Sequence, residues 1–207
     1  MKRANSEAAK DLRREQIIHA GLDEFFERGF SSAKMDNIAR RAGVSKGTLY
    51  LYFASKEALF LDIIKAVAIP RVEMMESMMV QSSGFFSTLN MLSQQLPLLV
   101  RQSSVPKVAK VLIGDAFAFP AVVREYRQQV IERGHRALTI MVRKGCEAGE
   151  IHTEDAENVA RLMIAPVIFS AIWTVVFEPH DDEALDLQAL FQCHQQMLMK
   201  ALRPEAP

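Results

Sequence analysis

Lys34-Met35-Asp36-Asn37-Ile38-Ala39-Arg40-Arg41-Ala42-Gly43-Val44-Ser45-Lys46-Gly47-Thr48-Leu49-Tyr50-Leu51-Tyr52-Phe53 reads as two short helices joined by a sharp turn. Met35, Ile38, Ala39 and Ala42 recur at helical spacing and give the first helix an apolar face. Gly43 supplies a turn residue tolerant of positive φ, and Val44 one that can lock the two helices together. Ser45 can cap the second helix, because its hydroxyl can accept from an otherwise unpaired N–H of the first turn. In that helix Leu49 and Phe53 are expected to point inward and Ser45, Lys46, Thr48, Tyr50 and Tyr52 outward. Gly47 would let a large ligand approach the backbone closely. Short polar groups presented this way fit the major groove of duplex DNA, so the segment is expected to be a helix-turn-helix.

Outward from this segment the helical period continues. Ile18, Gly21, Leu22 and Phe25 mark an earlier helix that Gly29 should end. Ser55 can cap a fourth helix, with Glu57 favoured by the dipole of its first turn. Helical sequence runs on to about residue 79 with Pro70 inside it, where a kink is expected. Further helices are expected at about 87–103, 106–114, 120–148, 155–178 and 185–203, with no strand-like alternation. The chain is therefore expected to be all-α: a three-helix head over residues 1–55 and a larger helical domain over 56–207.

Composition agrees with that division. Hydrophobic residues make up 49% of the 207, enough for a sizeable core, and net charge is zero. Residues 1–65 nevertheless hold twelve Lys/Arg against nine Asp/Glu, so the basic excess lies on the head. Cys146 and Cys193 are too few for a disulfide framework and read as reduced thiols. With the polar opening of residues 1–16, they point to a cytoplasmic protein. The apolar run from Leu162 to Phe177 is interrupted by Pro166, Ser170 and Thr174 and is shorter than the ~20 residues of a membrane span, so it is read as a buried helix. None of the five histidines has metal-ligand spacing, and no nucleophile elbow, phosphate-binding loop or HExxH occurs. No metal, cofactor or catalytic activity is expected. An enzyme acting on an apolar substrate, and a DNA-binding protein without ligand control, stand as alternatives.

The run Ile-Ala-x-x-Ala-Gly-Val-Ser-x-Gly-Thr-Leu-Tyr-x-Tyr-Phe-x-Ser-Lys-Glu-x-Leu, from Ile38 to Leu59, closely resembles the head of the tetracycline-repressor (TetR) family. The later segment from Phe119-Pro120 through Gly149-Glu150-Ile151 resembles the AefR-like subgroup. The resemblance implies a recognition helix that reads a DNA operator, a homodimer, and a small-molecule effector bound by the C-terminal domain. Carried over residue by residue, it implies that Lys46, Gly47, Thr48, Tyr50 and Tyr52 face DNA and that Lys56 meets a phosphate. Lys34, Met35 and Ser45 complete the expected interface. The sequence departs from the family at Ala33-Lys34, where a Ser or Thr cap is usual. Either Ser32 caps a slightly longer helix, or Lys34 takes a phosphate. Lys2, Arg3, Lys10, Arg13 and Arg14 are further candidates for phosphate contact.

A hydrophobic effector would suit a pocket of soft apolar side chains, expected at Met74, Met78, Phe86, Phe117, Phe119, Met141 and Trp173. Asp115, in an apolar stretch, would meet the ligand or mark a helix end. The dimer interface is expected from the strip Pro166, Ser170 and Thr174 with the stripe Leu187, Leu190, Phe191, His194 and Leu198. Two helices from each subunit would make a four-helix interface. The kinked helix at 55–79 would carry ligand binding to the head, changing the spacing of the two heads.

Overall fold

The computed structural model describes the backbone of residues 2–204 and the side chains of residues 7–204. The side chains of Lys2 and Arg3, two of the expected phosphate contacts, lie outside the described residues. No strand occurs among the described residues. The helices are α1 (Lys2–Arg28), α2 (Met35–Arg41), α3 (Lys46–Tyr52), α4 (Lys56–Val67), α5 (Ile69–Gln81), α6 (Phe85–Gln102), α7 (Val105–Asp115), α8 (Pro120–Tyr126), α9 (Arg133–Glu147), α10 (Ala156–Ile172) and α11 (Leu187–Ala201). Arg127–Glu132 widens into a π-type turn between α8 and α9, and Trp173–Phe177 does the same after α10. The helix expected to kink at Pro70 is instead interrupted at Ala68, and Pro70 falls in the first turn of α5, where its missing N–H costs nothing.

The chain divides into two units that do not follow a cut at residue 55. The first joins residues up to Ala68 with Lys107–Tyr126, and the second holds Ile69–Pro106 and the residues from Arg127 on.

In the first unit α4, α7 and α8 belong to the head. Phe25, Phe30, Phe60 and Phe119 form its aromatic centre, with ring centroids 4.1–5.9 Å apart. Gly21 is where α1 meets α4: a Cβ there would lie 2.8 Å from Leu59 Cδ2 and 3.2 Å from its Cγ. Leu59 is fully buried, so its side chain can give way only against the surrounding core. Gly21→Val should therefore lower stability by about 1–3 kcal/mol through overpacking; urea titration checks this, and an unchanged midpoint would show that the α1–α4 contact is loose.

Charged side chains close the corner after α1. Lys110 Nζ donates to Phe26 O at 3.0 Å, satisfying one of the last carbonyls of α1 at its negative dipole end. Lys56 Nζ donates to Phe30 O at 2.9 Å and Ser31 O at 3.1 Å, lying over the Phe30 ring. Asp115 accepts from Phe30 N and Ser31 Oγ, both at 2.7 Å. Gly29 turns this corner with φ 76°, and a Cβ there would come within 2.8 Å of Asp115 Oδ2. A further carboxylate, Glu24, is buried and ties α1 to α2 through Asn37 Nδ2 at 2.8 Å, with Arg28 at 3.3 Å.

The second unit is a helical bundle. Its core gathers Phe85, Leu89 and Leu92 of α6, Leu138 and Val142 of α9, Met163 of α10 and Leu198 of α11. Glu150 accepts from Phe85 N at 2.8 Å and so caps α6 from a distant loop.

Candidate functional site

The turn between α2 and α3 forms as its residue types require. Gly43 has φ 66°, the left-handed region that favours glycine. Val44 N donates to Ala39 O at 2.9 Å, and its side chain is half-buried rather than fully enclosed. Ser45 Oγ accepts from Thr48 N at 3.0 Å and lies 2.8 Å from Thr48 Oγ1, capping α3. Leu49 and Phe53 are buried and hold α3 against the head.

Ser45, Lys46, Gly47 and Tyr50 form an exposed outer face, with Thr48 and Tyr52 half-buried beside it. Leu51, outside the set expected from the sequence, is exposed as well, at 85%. Its spacing of four from Gly47 was the available signal, since i and i+4 share a helix face. Lys46 pairs with Asp36 at 2.8 Å with both side chains about 60% exposed, a pair weak enough for the ammonium to change partners.

Three expectations for this face need correction or completion. Met35 is 8% exposed and packs inward with Ile38, so it is core, not interface. The Lys56 ammonium donates two of its three hydrogens to the Phe30 and Ser31 carbonyls, which ties it to the head. Lys34 occupies the cap position of α2 with no side-chain cap, so Ser32 does not extend the helix and Lys34 remains exposed. Of the α1 cations, Arg14 pairs with Asp62 and lies over the Phe53 ring, whereas Lys10 and Arg13 are exposed.

The second unit encloses a cavity lined by Met75, Leu89, Leu92, Ser93, Leu96, Leu138, Met163, Ile164, Phe191, His194 and Gln195. It leaves about 20 Å³ for the centre of a water molecule, room for roughly one water. None of the eight expected pocket residues lines it. Asp115 is committed to Phe30 and Ser31, so it is a helix-end carboxylate. Phe119 belongs to the aromatic centre of the first unit, and Phe117 is fully exposed on the loop before α8. Met141 is core, Phe86 packs against that core, and Trp173 is half-buried between Phe169 and Phe177. On α5 it is Met75 that faces inward, while Met74 is 38% exposed and Met78 half-buried.

The expected dimer stripe is also turned inward. Leu187, Phe191 and Leu198 are buried within one chain, where α11 packs on α6. Ser170 is fully buried, Pro166, Thr174 and Leu190 are half-buried, and His194 lines the cavity. His194 has a structural task as well. Pro166 has no N–H, so the Leu162 carbonyl four residues earlier lacks its helical donor. His194 Nε2 meets that carbonyl at 3.1 Å. The helix expected to be buried is the exposed one: Ala156–His180 is long and apolar enough to cross a membrane by length and composition, yet only 22% of its apolar window is buried. Leu162, Ile168, Phe169, Val176 and Phe177 are exposed on it, and Met197 on α11.

Residues 17–63 match the model for bacterial regulatory proteins of the tetR family. Residues 87–189 match the C-terminal domain of AefR-like transcriptional repressors. The fatty acid metabolism regulator protein of Bacillus subtilis is 27% identical over 191 residues, 90% of this chain and 94% of that protein. The structure of a transcriptional regulator FadR from Bacillus subtilis in complex with stearoyl-CoA superposes with TM-score 0.68 at 22% identity, covering 89% of this chain and 97% of that one. NalD, the secondary repressor of the MexAB-OprM multidrug efflux pump in Pseudomonas aeruginosa, gives TM-score 0.74 at 16% identity, covering 95% and 99%. At those identities the two structures speak to the fold alone; the family models cover both the head and the helical domain. The chain belongs to the TetR family of bacterial transcriptional regulators, and α2, the turn at Gly43 and α3 are its DNA-binding helix-turn-helix.

Proposed function

We propose that this chain is a cytoplasmic homodimeric repressor that places α3 of each subunit in the major groove of a palindromic operator and leaves it when an apolar small molecule enters the cavity of the second unit. The observation that carries the reading is the outer face of α3, where Ser45, Lys46, Gly47 and Tyr50 are exposed while Leu49 and Phe53 anchor the helix from behind. Thr48, Tyr50 and Tyr52 bring hydrogen-bonding groups to base edges and phosphates, and Leu51 suits the methyl group of a thymine. Lys34, Lys46, Lys10 and Arg13 supply phosphate contacts. A two-fold dimer reads a two-fold operator. The apolar walls of the cavity suit a hydrophobic effector. So do the name of the Bacillus subtilis relative, a fatty acid metabolism regulator, and the stearoyl-CoA held by the similar FadR structure. Control comes from binding, without catalysis.

Salt titration of operator binding tests the interface. If the dimer neutralises about eight phosphates, log affinity should fall against log salt with a slope of about −7. Lys34→Ala should make that slope shallower by about one per subunit. Lys56→Ala should lower stability by about 1–3 kcal/mol, because it removes charged hydrogen bonds to the Phe30 and Ser31 carbonyls. A flat salt response would count against DNA as the partner. Release of labelled operator by apolar compounds tests the effector half, and a protein that none of them releases would be a DNA-binding regulator without ligand control.

A further inference from the structure

Ser93, His194 and Gln195 are the polar residues that line the cavity. Ser93 Oγ lies 2.8 Å from Asn90 O and 2.7 Å from Gln195 Oε1, so one hydroxyl hydrogen serves two acceptors. Gln195 Nε2 donates to Asn90 Oδ1 at 3.2 Å and to Met199 Sδ at 3.8 Å. Pro97 lies in α6 four residues after Ser93 and has no N–H, so the Ser93 carbonyl lacks its usual helical donor. His194 donates through Nε2 to the carbonyl that Pro166 leaves free, and burial lowers its pKa, which favours the neutral ring. In that tautomer Nδ1 carries no proton and can only accept. No Lys, Arg, Asp or Glu lines the cavity, so an anionic head would be desolvated there without a counter-charge.

We propose that the Ser93–His194–Gln195 end of this cavity selects an uncharged, largely apolar molecule that carries a hydroxyl group, and discriminates against carboxylates. The ligand hydroxyl brings a further hydrogen to these acceptors, and its apolar body takes the space between Met75, Leu96, Leu138 and Met163. Because the empty cavity admits only about one water, these flexible side chains must move apart to receive it. This inference rests on the cavity being the effector site.

The test compares three probes of equal chain length, decan-1-ol, methyl decanoate and decanoate, by titration into the full-length protein and by release of labelled operator. Decan-1-ol should bind on the order of tenfold more tightly than methyl decanoate, which can accept but not donate, and decanoate should bind most weakly. His194→Gln keeps both a donor for the Leu162 carbonyl and an acceptor, and should retain the preference for the alcohol. His194→Leu should lose it. Equal binding of all three, or tightest binding of decanoate, would overturn the proposal while leaving an apolar effector site in place. Failure of every probe to bind would overturn both. The comparison within the wild-type protein decides the matter even if a variant does not fold.

Discussion

Phe169→Glu should convert the protein to a monomer and weaken operator binding by about 10²–10⁴-fold, the advantage that simultaneous engagement of two half-sites gives over one. Leu162, Phe169 and Phe177 lie on one side of the helical segment Ala156–His180, and they are 60%, 47% and 52% exposed in a single chain. Trp173 stacks between Phe169 and Phe177 with centroids 5.6 and 5.3 Å away, so the aromatic strip is already ordered. The opposite side of this segment contributes Ala160, Met163 and Ala171 to the interior of the second unit. Only 22% of the apolar window of this segment is buried, and its open side needs a cover. A second copy would supply the same strip, self-complementary across a two-fold axis. A glutamate at 169 would bury a charge in each half of that interface, at a cost of several kcal/mol per unpaired charge. Light scattering should show the change of mass, and circular dichroism should show the helices intact. A Phe169→Glu protein that stays dimeric with unchanged operator affinity would place the interface elsewhere. Leu198→Glu would not report on the interface, because Leu198 is 8% exposed within one chain and the charge would damage the fold itself.

The contrast between Phe169 and Leu198 marks what the amino-acid sequence can disclose. The apolar stripe of α11 states that one face is covered, but carries no information on what covers it; α6, about a hundred residues earlier, does so, through contacts such as Ser93 with Gln195. Leu162 to Phe177 is apolar all round, so its periodicity could not separate the inward side from the outward one. Asp115 is in the same position: its partners Phe30 and Ser31 lie some 85 residues away, beyond the reach of any local pattern. Met74 and Met75 are adjacent in the chain and differ only in the helix face they occupy. Where the determining contacts are local, the sequence discloses them. The Gly43 turn, the Ser45 and Ser55 caps and the burial of Leu49 and Phe53 follow from residues a few positions apart. Met35 and Lys56 are the exceptions within the motif. Each is a long side chain able to face either DNA or the head, and the head had unfilled apolar space and unpaired carbonyls to offer them.

Gly47→Ala should separate folding from recognition, because its two effects have opposite signs. Gly47 lies within α3, and its backbone is in ordinary helical space rather than the left-handed region. A glycine there destabilises a helix by roughly 0.5–1 kcal/mol relative to alanine. The nearest atom to an added Cβ is Ser45 Oγ at 3.9 Å, an ordinary contact, so the methyl would meet no other part of the protein. The melting temperature should hold or rise. The new methyl instead projects from the outer face of α3, between Ser45 and Tyr50, into the space DNA must occupy if this helix enters the groove. Close approach of the backbone would be lost, and operator affinity should fall by about 1–3 kcal/mol, the scale of one specific contact. Gly43→Ala is the control with the other signature: at φ 66° a side chain is strained, so stability itself should drop by about 1–3 kcal/mol. A Gly47→Ala protein that melts higher and binds operator as well as the wild type would show that this face of α3 does not approach DNA. One that melts higher and binds poorly would localise recognition to that face, since no loss of folded protein could account for the weaker binding.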